Sequence, residues 1–108
     1  MASDLAPGFE QLDMRMAPTE SPWGRVEHVQ RIAPGIWMVD TAGHGGFFVA
    51  ASRLKQMPIQ STRWSSGGWF EEDRDAALVV HQWPELFTAE QALAAEKIVA
   101  RCFPQLLS

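Results

Sequence analysis

The chain has 108 residues and room for one hydrophobic core, because chains usually divide into separate domains only beyond roughly 250 residues. Its apolar share of 46% and charged share of 20% are those of a folded domain and exclude a disordered or collagen-like chain. The 9 basic and 13 acidic residues give a net charge of −4, which disfavours direct binding to nucleic acid and suits a basic protein partner.

The first half of the chain is predicted to contain a loose arm and a β-meander. Residues 1–20 mix prolines, glycine and scattered acids without a sustained period, so we expect a loose N-terminal arm before a single domain at residues 21–108. Ala33-Pro34-Gly35 predicts a turn, and the glycine-rich residues 42–46 predict a second one. We expect three antiparallel strands around these turns, at residues 25–32, 36–41 and 47–50.

The second half is predicted to be helical. A short connecting helix is expected at residues 52–57, because Ser52 can cap its start and a proline follows its end. From about Trp69 the apolar period becomes helical, and the acids at residues 71–75 suit the positive end of a helix macrodipole. We therefore predict an α+β fold in which a three-stranded antiparallel meander packs against two C-terminal helices, with a short connecting helix.

The last helix has the clearest sequence signals. Thr88 and Gln91 form a capping-box pattern, and good helix formers continue to residue 101 before a proline. Its apolar stripe is predicted to contain Leu93, Ala94, Ile98 and Cys102. Cys102 is the only cysteine in the sequence, which excludes an intramolecular disulfide, and we expect a buried, inert thiol there.

Secretion and membrane insertion are not predicted. Residues 1–9 lack the basic start and apolar run of a signal peptide. No stretch approaches the ~18 continuous apolar residues that a membrane span needs. Together with the low cysteine content, these features favour a cytoplasmic protein with no membrane contact.

The glycine-rich segment around His44 is the first candidate site. Three glycines beside one histidine allow the backbone to turn sharply and to approach a ligand closely. The segment matches neither the P-loop nor the dinucleotide-binding fingerprint. Two interpretations stay open: a strand turn in which His44 makes local hydrogen bonds, or a turn in which its imidazole contacts a functional partner.

Metal and enzyme hypotheses find little support in the sequence. The three histidines have spacings unrelated to known zinc signatures, and there is no nucleophile elbow, so we expect no metal, no cofactor and no catalytic residue. The alternative is a small enzyme in which His44 forms an acid–base pair with Glu71, Glu72 or Asp73.

A second candidate site combines two adjacent rings with a run of acids. Trp69 and Phe70 cannot both face the core from a regular helix, so one ring is expected to be available for recognition; the alternative is that the two rings cap opposite sides of a sheet-to-helix junction. The acids that follow form the strongest charge feature of the chain. The predicted binding residues are Trp69, Glu71, Glu72, Asp73, Asp75 and His44.

Over about residues 20–105 the chain resembles an uncharacterised domain family that is carried by phages, plasmids and related bacterial mobile elements. The family has no settled catalytic assignment, and its members tend to have Cys where Arg74 stands and Trp near Ala76. The segments that carry the resemblance are Pro22-Trp23-Gly24, Ala33-Pro34-Gly35-Ile36, His44-Gly45-Gly46, Gly67-Gly68-Trp69-Phe70-Glu71-Glu72-Asp73 and Pro84-Glu85.

This resemblance implies a function in counter-defence. Small proteins of mobile elements often inhibit host defence, so we expect a non-enzymatic protein-binding module of the anti-CRISPR type, acting in the cytoplasm of a bacterial host cell. Its acidic and aromatic surface would bind a basic, nucleic-acid-binding complex. A structural or assembly module that associates through exposed tryptophan is a further alternative, and the sequence leaves the oligomeric state open.

Overall fold

A computed structural model describes residues 16–65 and 67–107, so most of the expected loose arm at residues 1–20 lies outside the described residues. Two short 3-10 helices, Pro84–Leu86 and Pro104–Leu107, accompany the main elements. In chain order the strands and α-helices are β1 (Glu20–Ser21), β2 (Gly24–Arg25), β3 (His28–Ala33), β4 (Ile36–Asp40), β5 (Gly45–Val49), α1 (Ala51–Leu54), α2 (Ile59–Thr62), β6 (Trp69–Glu71), α3 (Ala76–Gln82) and α4 (Ala89–Cys102).

The predicted α+β class and the antiparallel arrangement are confirmed, but the main sheet has four strands instead of three. Its order is β3-β4-β5-β6, and every neighbouring pair is antiparallel. The fourth strand was predicted as the start of a helix. It is a strand because Phe70 of β6 pairs with Phe47 of β5, and both rings are buried in the core.

The turn between β3 and β4 follows from its sequence. Gly35 has a φ of 83°, a conformation that glycine adopts without a steric penalty. The carbonyl of Gly35 accepts a hydrogen bond from the N–H of Ala50 at 2.8 Å, and the side chain of Arg53 donates to the Pro34 carbonyl, also at 2.8 Å. The turn is therefore tied to the end of β5 and to α1.

The connecting helix differs from its prediction. Two short helices, α1 and α2, stand in place of one helix at residues 52–57. Ala50 occupies the N-cap position of α1, and no side chain caps this helix. Ser52 therefore does not have the capping role that was predicted for it. Pro58 is the residue that precedes α2, where its missing N–H costs no helical hydrogen bond.

The core lies between one face of the four-stranded sheet and helices α3 and α4. Helix α3 buries four consecutive residues, Ala77–Val80, because it is covered on more than one side. Strand residues alternate, so every second side chain points toward the helices. The largest fully buried side chains of this core are Phe70, Phe103, Ile36, Leu78, Val49, Val79 and Val99.

Helix α4 turns to the core a stripe that overlaps the predicted one only at Ile98, which packs against the buried cluster. Ala95 and Val99 are buried, whereas Leu93 is 53% exposed and Cys102 is exposed, so the prediction of a buried thiol is wrong. Both stripes are apolar in sequence. Ala95 and Val99 belong to the same buried cluster as the α3 residues Ala77–Val80, so contact with α3 decides which residues of α4 are buried.

The predicted capping box of α4 is confirmed. The Oγ1 of Thr88 accepts a hydrogen bond from the N–H of Gln91 at 3.0 Å, and the Oε1 of Gln91 accepts one from the N–H of Thr88 at 2.9 Å. The helix ends before Pro104, as expected. Among the described residues, none of the helices combines the length and hydropathy needed to cross a lipid bilayer.

Replacing Thr88 tests how much this cap contributes. We expect Thr88→Ala to lower the free energy of unfolding by about 1 kcal/mol, because the N–H of Gln91 loses its acceptor. Urea unfolding followed by circular dichroism measures the loss. Thr88→Ser keeps the hydroxyl and should retain most of the stability; an equal loss in both variants would contradict a role of the cap.

Candidate functional site

The turn that carries His44 is closed by hydrogen bonds with Thr41. The N–H and the hydroxyl of Thr41 donate to the His44 carbonyl at 2.8 and 3.0 Å, and the N–H of His44 donates back to the Thr41 hydroxyl oxygen at 3.2 Å. These bonds involve the backbone of His44 and leave its imidazole free to project from the end of the β4–β5 hairpin. The turn interpretation of the glycine-rich segment therefore agrees with this geometry.

The imidazole of His44 contacts the carboxylate of Glu71. Its Nδ1 lies 3.1 Å from Glu71 Oε2, with 55% and 46% of the two side chains exposed. Strand pairing brings the two side chains together. Glu71 of β6 lies opposite Gly46 of β5, and His44 comes two residues before Gly46 and therefore faces the same side of the sheet. The pair remains open to solvent, which limits the energy of its attraction.

Two further carboxylates meet beside Gly45. Asp40 lies opposite Gly45 in the β4–β5 hairpin, and the N–H of Glu72 donates to the Gly45 carbonyl at 2.8 Å. Asp40 Oδ1 and Glu72 Oε2 lie 2.8 and 3.0 Å from the point where a Cβ on Gly45 would stand. The two oxygens are therefore within about 6 Å of each other, a separation at which like charges repel.

Aromatic rings cover the sheet face that does not meet α3 and α4. The ring of Trp69 packs against Phe48 with centroids 4.6 Å apart, and edge-on against Trp23 at 5.5 Å. Trp69 is half-buried by these contacts, while Phe70 is fully buried on the other face. The two adjacent rings thus lie on opposite faces of the sheet, as strand alternation requires.

Gly46 makes this aromatic packing possible. A Cβ there would stand 2.7 Å from the Trp23 ring and would overlap the backbone carbonyl of Phe70. Trp23 comes from the β1–β2 hairpin, whose turn is held by the Ser21 hydroxyl: it donates to the Gly24 carbonyl at 2.7 Å and accepts from the Trp23 N–H at 3.1 Å. Because Gly46 has no side chain, the indole of Trp23 can lie directly on the sheet.

The other two predicted acids point elsewhere. Asp73 is exposed in the turn after β6, with a φ of 75°, and lines a shallow cavity beside α3 and α4. Asp75 Oδ1 accepts from the Nε of Arg74 at 3.3 Å, and that guanidinium lies 4.9 Å from the centre of the Trp64 ring. The acids at residues 71–75 do not form the first turn of a helix, because α3 begins at Ala76.

The structure therefore brings together only part of the predicted set. His44 and Glu71 meet at one end of the sheet, on the face that carries Trp69. Glu72 lies with Asp40 on the opposite face of the same end. Sequence reasoning missed Asp40, which a two-stranded register around the His44 turn could have placed opposite Gly45. We call the group formed by Asp40, His44, Glu71 and Glu72 the acidic sheet end.

Two cavities of the described residues lie away from the His44–Glu71 pair. The larger one, about 440 Å³, is lined by sheet residues such as Ile32 and Met38 and by the α3–α4 connection, including Glu85 and Phe87. The His44–Glu71 pair borders neither this cavity nor the one beside Asp73. Within the described part of the chain, no group of three or more histidine, cysteine or acidic side chains is arranged to hold a metal ion.

The fold and this surface define a small α+β domain whose sheet carries helices on one face, aromatic rings on the other and an acidic group at one end. The chain belongs to the family described as a domain of unknown function (DUF7007), whose model matches residues 16–107. Searches among curated proteins and among solved structures found no match.

A glycine substitution tests the close approach of strand and indole. We expect Gly46→Ala to lower the free energy of unfolding by about 1–3 kcal/mol, because the added methyl group must displace the Trp23 ring and the backbone of β6. Gly43→Ala is the matched control, since a Cβ at Gly43 meets no atom within 4 Å. Its effect in urea unfolding should stay within about 0.5 kcal/mol; equal effects of both changes would contradict the steric argument.

Proposed function

We propose that this chain is a non-enzymatic protein-binding module that recognises a basic partner through the acidic sheet end. One observation carries the proposal: the carboxylates of Asp40 and Glu72 converge at Gly45 without a cation between them among the described residues. Glu72 has no ion-pair or side-chain hydrogen-bond partner within the part of the chain that the structure describes, and both residues are exposed. A lysine or arginine from a partner would satisfy both charges at once.

The isolated chain gains no stability from bringing the carboxylates of Asp40 and Glu72 together. Two like charges close together destabilise the folded chain slightly, and no hydrogen bond among the described residues compensates for the contact. Binding a cation converts the repulsion into attraction. The net charge of −4 acts in the same direction, because it raises the rate of encounter with a basic surface.

The aromatic face supplies a neighbouring apolar contact. Trp69 is held by Phe48 and Trp23, so its indole loses little conformational freedom when a partner covers the part that remains exposed. Trp69 and Glu71 lie two residues apart on β6 and therefore face the same side of the sheet, next to His44, whereas the side chains of Asp40 and Glu72 lie on the other side of the same sheet end. An aromatic anchor beside a charged group is a common composition for the centre of a protein interface.

The resemblance to domains of mobile elements narrows this proposal. We take the partner to be a basic, nucleic-acid-binding complex of host defence, with a CRISPR effector as the leading candidate, in the cytoplasm of a bacterial host cell. An acidic protein surface can occupy the positively charged channel that such complexes use for nucleic acid. The chain would then act by occupying that surface, without a catalytic step.

Replacing Glu72 separates binding from stability. We expect Glu72→Lys to weaken partner binding by about tenfold or more, because attraction to a basic surface becomes repulsion. The same change should leave the free energy of unfolding equal or higher, since the new ammonium group lies beside Asp40. Retention of partners from nuclease-treated bacterial lysate measures binding, and urea unfolding measures stability.

The control for this variant is Glu96→Lys, which makes the same charge change at an exposed position on α4. It should retain the partner. Equal loss of binding in both variants would indicate a general charge effect, and unchanged binding by Glu72→Lys would reject the acidic sheet end as the binding surface.

The His44–Glu71 contact favours a second candidate, a small acid–base enzyme. Its 3.1 Å separation is within the range of a catalytic hydrogen bond. Against it, both side chains are about half exposed to water, and neither lines the cavity beside Phe87 or the one beside Asp73. We therefore rank it below protein binding.

Hydrolysis of p-nitrophenyl esters and phosphate esters separates the two candidates. We expect the purified chain and its His44→Gln variant to hydrolyse both at the same background rate, because the pair holds no substrate. Glu71→Gln serves as the matched variant that keeps the shape of the carboxylate. A rate that falls about tenfold or more in both variants would favour the enzyme hypothesis.

A further inference from the structure

The cavity of about 440 Å³ lies on the face of the sheet that carries the helices, and we call it the sheet-face cavity. It is lined by Ile32, Met38 and Phe47 of the sheet, by Val80 of α3 and by the α3–α4 connection. Its volume is within the range of roughly 300–1,000 Å³ that is usual for ligand-binding cavities. Met38 is 38% exposed, so the cavity leaves an apolar side chain of the sheet in contact with water.

The carboxylates of Asp40 and Glu72 lie on this same face, directly beside the cavity. Asp40 shares a face with Met38 on β4, and the point above Gly45 where the two carboxylates converge shares a face with Phe47 on β5. Each of these steps is two residues along a strand and spans about 6.6 Å. The two carboxylates and the apolar floor of the cavity are therefore one strand repeat apart.

The acids around the cavity have no cationic partner. Glu85 is the only charged side chain of the described residues that lines the cavity. Like Asp40 and Glu72, it has no basic side chain within ion-pair distance in the part of the chain that the structure describes. His28 lies opposite Asp40 in the sheet, but no ion pair joins their side chains. The charge therefore selects an occupant that brings a cation together with an apolar group.

We propose that the sheet-face cavity receives a large apolar side chain from an extended segment of the basic partner. A lysine or arginine two residues away in that segment binds between Asp40 and Glu72. This inference rests on the proposed function and names the segment that the acidic sheet end recognises. In an extended chain, side chains two residues apart lie on the same side and about 6.6 Å from each other, which matches the spacing of the carboxylates and the cavity.

A series of synthetic peptides tests the spacing. The probe is a labelled peptide of about ten residues with Lys-Thr-Phe at its centre, acetylated and amidated so that its termini are uncharged. Fluorescence anisotropy with the full chain measures its dissociation constant. Replacing either the lysine or the phenylalanine of the probe with serine should raise that constant about tenfold or more, because one of the two contacts is lost.

Moving the phenylalanine tests whether the segment is extended. With lysine and phenylalanine adjacent, their side chains point to opposite sides of an extended chain, and the dissociation constant should rise about tenfold. A peptide with three residues between lysine and phenylalanine should bind as weakly. Equal binding of this peptide and the Lys-Thr-Phe probe would indicate helical spacing and would overturn the proposal.

Filling the cavity tests the apolar contact from the side of the protein. Gln30 is exposed and lines the cavity, so Gln30→Trp places an indole inside it. This variant should bind the Lys-Thr-Phe probe about tenfold more weakly and should bind the Lys-Thr-Ser peptide as the original chain does. Gln60→Trp, at an exposed position of α2, is the matched control and should bind both peptides normally. Circular dichroism checks that each variant is folded.

A methionine methyl signal reports directly on the cavity. In a chain with isotope-labelled methionine methyl groups, the Met38 signal, assigned with Met38→Leu, should shift when the Lys-Thr-Phe probe is added. Met16 is 66% exposed and does not line the cavity, so its signal should stay in place. A Met38 signal that ignores the probe would overturn the proposal. So would a signal that shifts with protein concentration alone, because a second copy would then be the occupant.

Two variants distinguish failure of this inference from failure of the proposed function. Glu72→Lys should abolish the preference of the chain for lysine over serine in the probe. If Glu72→Lys loses the cellular partner while Gln30→Trp retains it fully, the acidic sheet end stands and the cavity is rejected. If Glu72→Lys retains the partner although it no longer distinguishes the peptides, the proposed function is rejected and the peptide site stands.

Discussion

The close approach of β5 and β6 at Gly46 is the constraint on which the candidate surface depends. Without a side chain at this position, the indole of Trp23 lies on the sheet, and the backbone of Glu71 comes near enough for its carboxylate to meet His44. The same contact holds the short β6 strand beside β5, so that Phe70 enters the core. One missing methyl group therefore links the packing of the two sheet faces to the arrangement of charges at the sheet end.

Local signals in the sequence predicted much of the fold. The turn at Gly35 and the capping box at Thr88 depend on neighbouring residues, and both were predicted correctly. Strand β6 was missed because three residues are too few to show alternation and its partner lies more than twenty residues away along the chain. The stripe of α4 that faces the core was predicted correctly only at Ile98, since several sides of this helix are apolar and only contact with α3 selects Ala95 and Val99 for burial.

The candidate site shows the same division between local and long-range information. His44 and Glu71 were selected from the sequence as candidates because of their residue types and neighbours, but their contact depends on the register of β5 against β6. Asp40 carried no local signal and becomes relevant only through its place opposite Gly45. Residue type could thus nominate members of the surface, whereas strand pairing was needed to decide which of them meet.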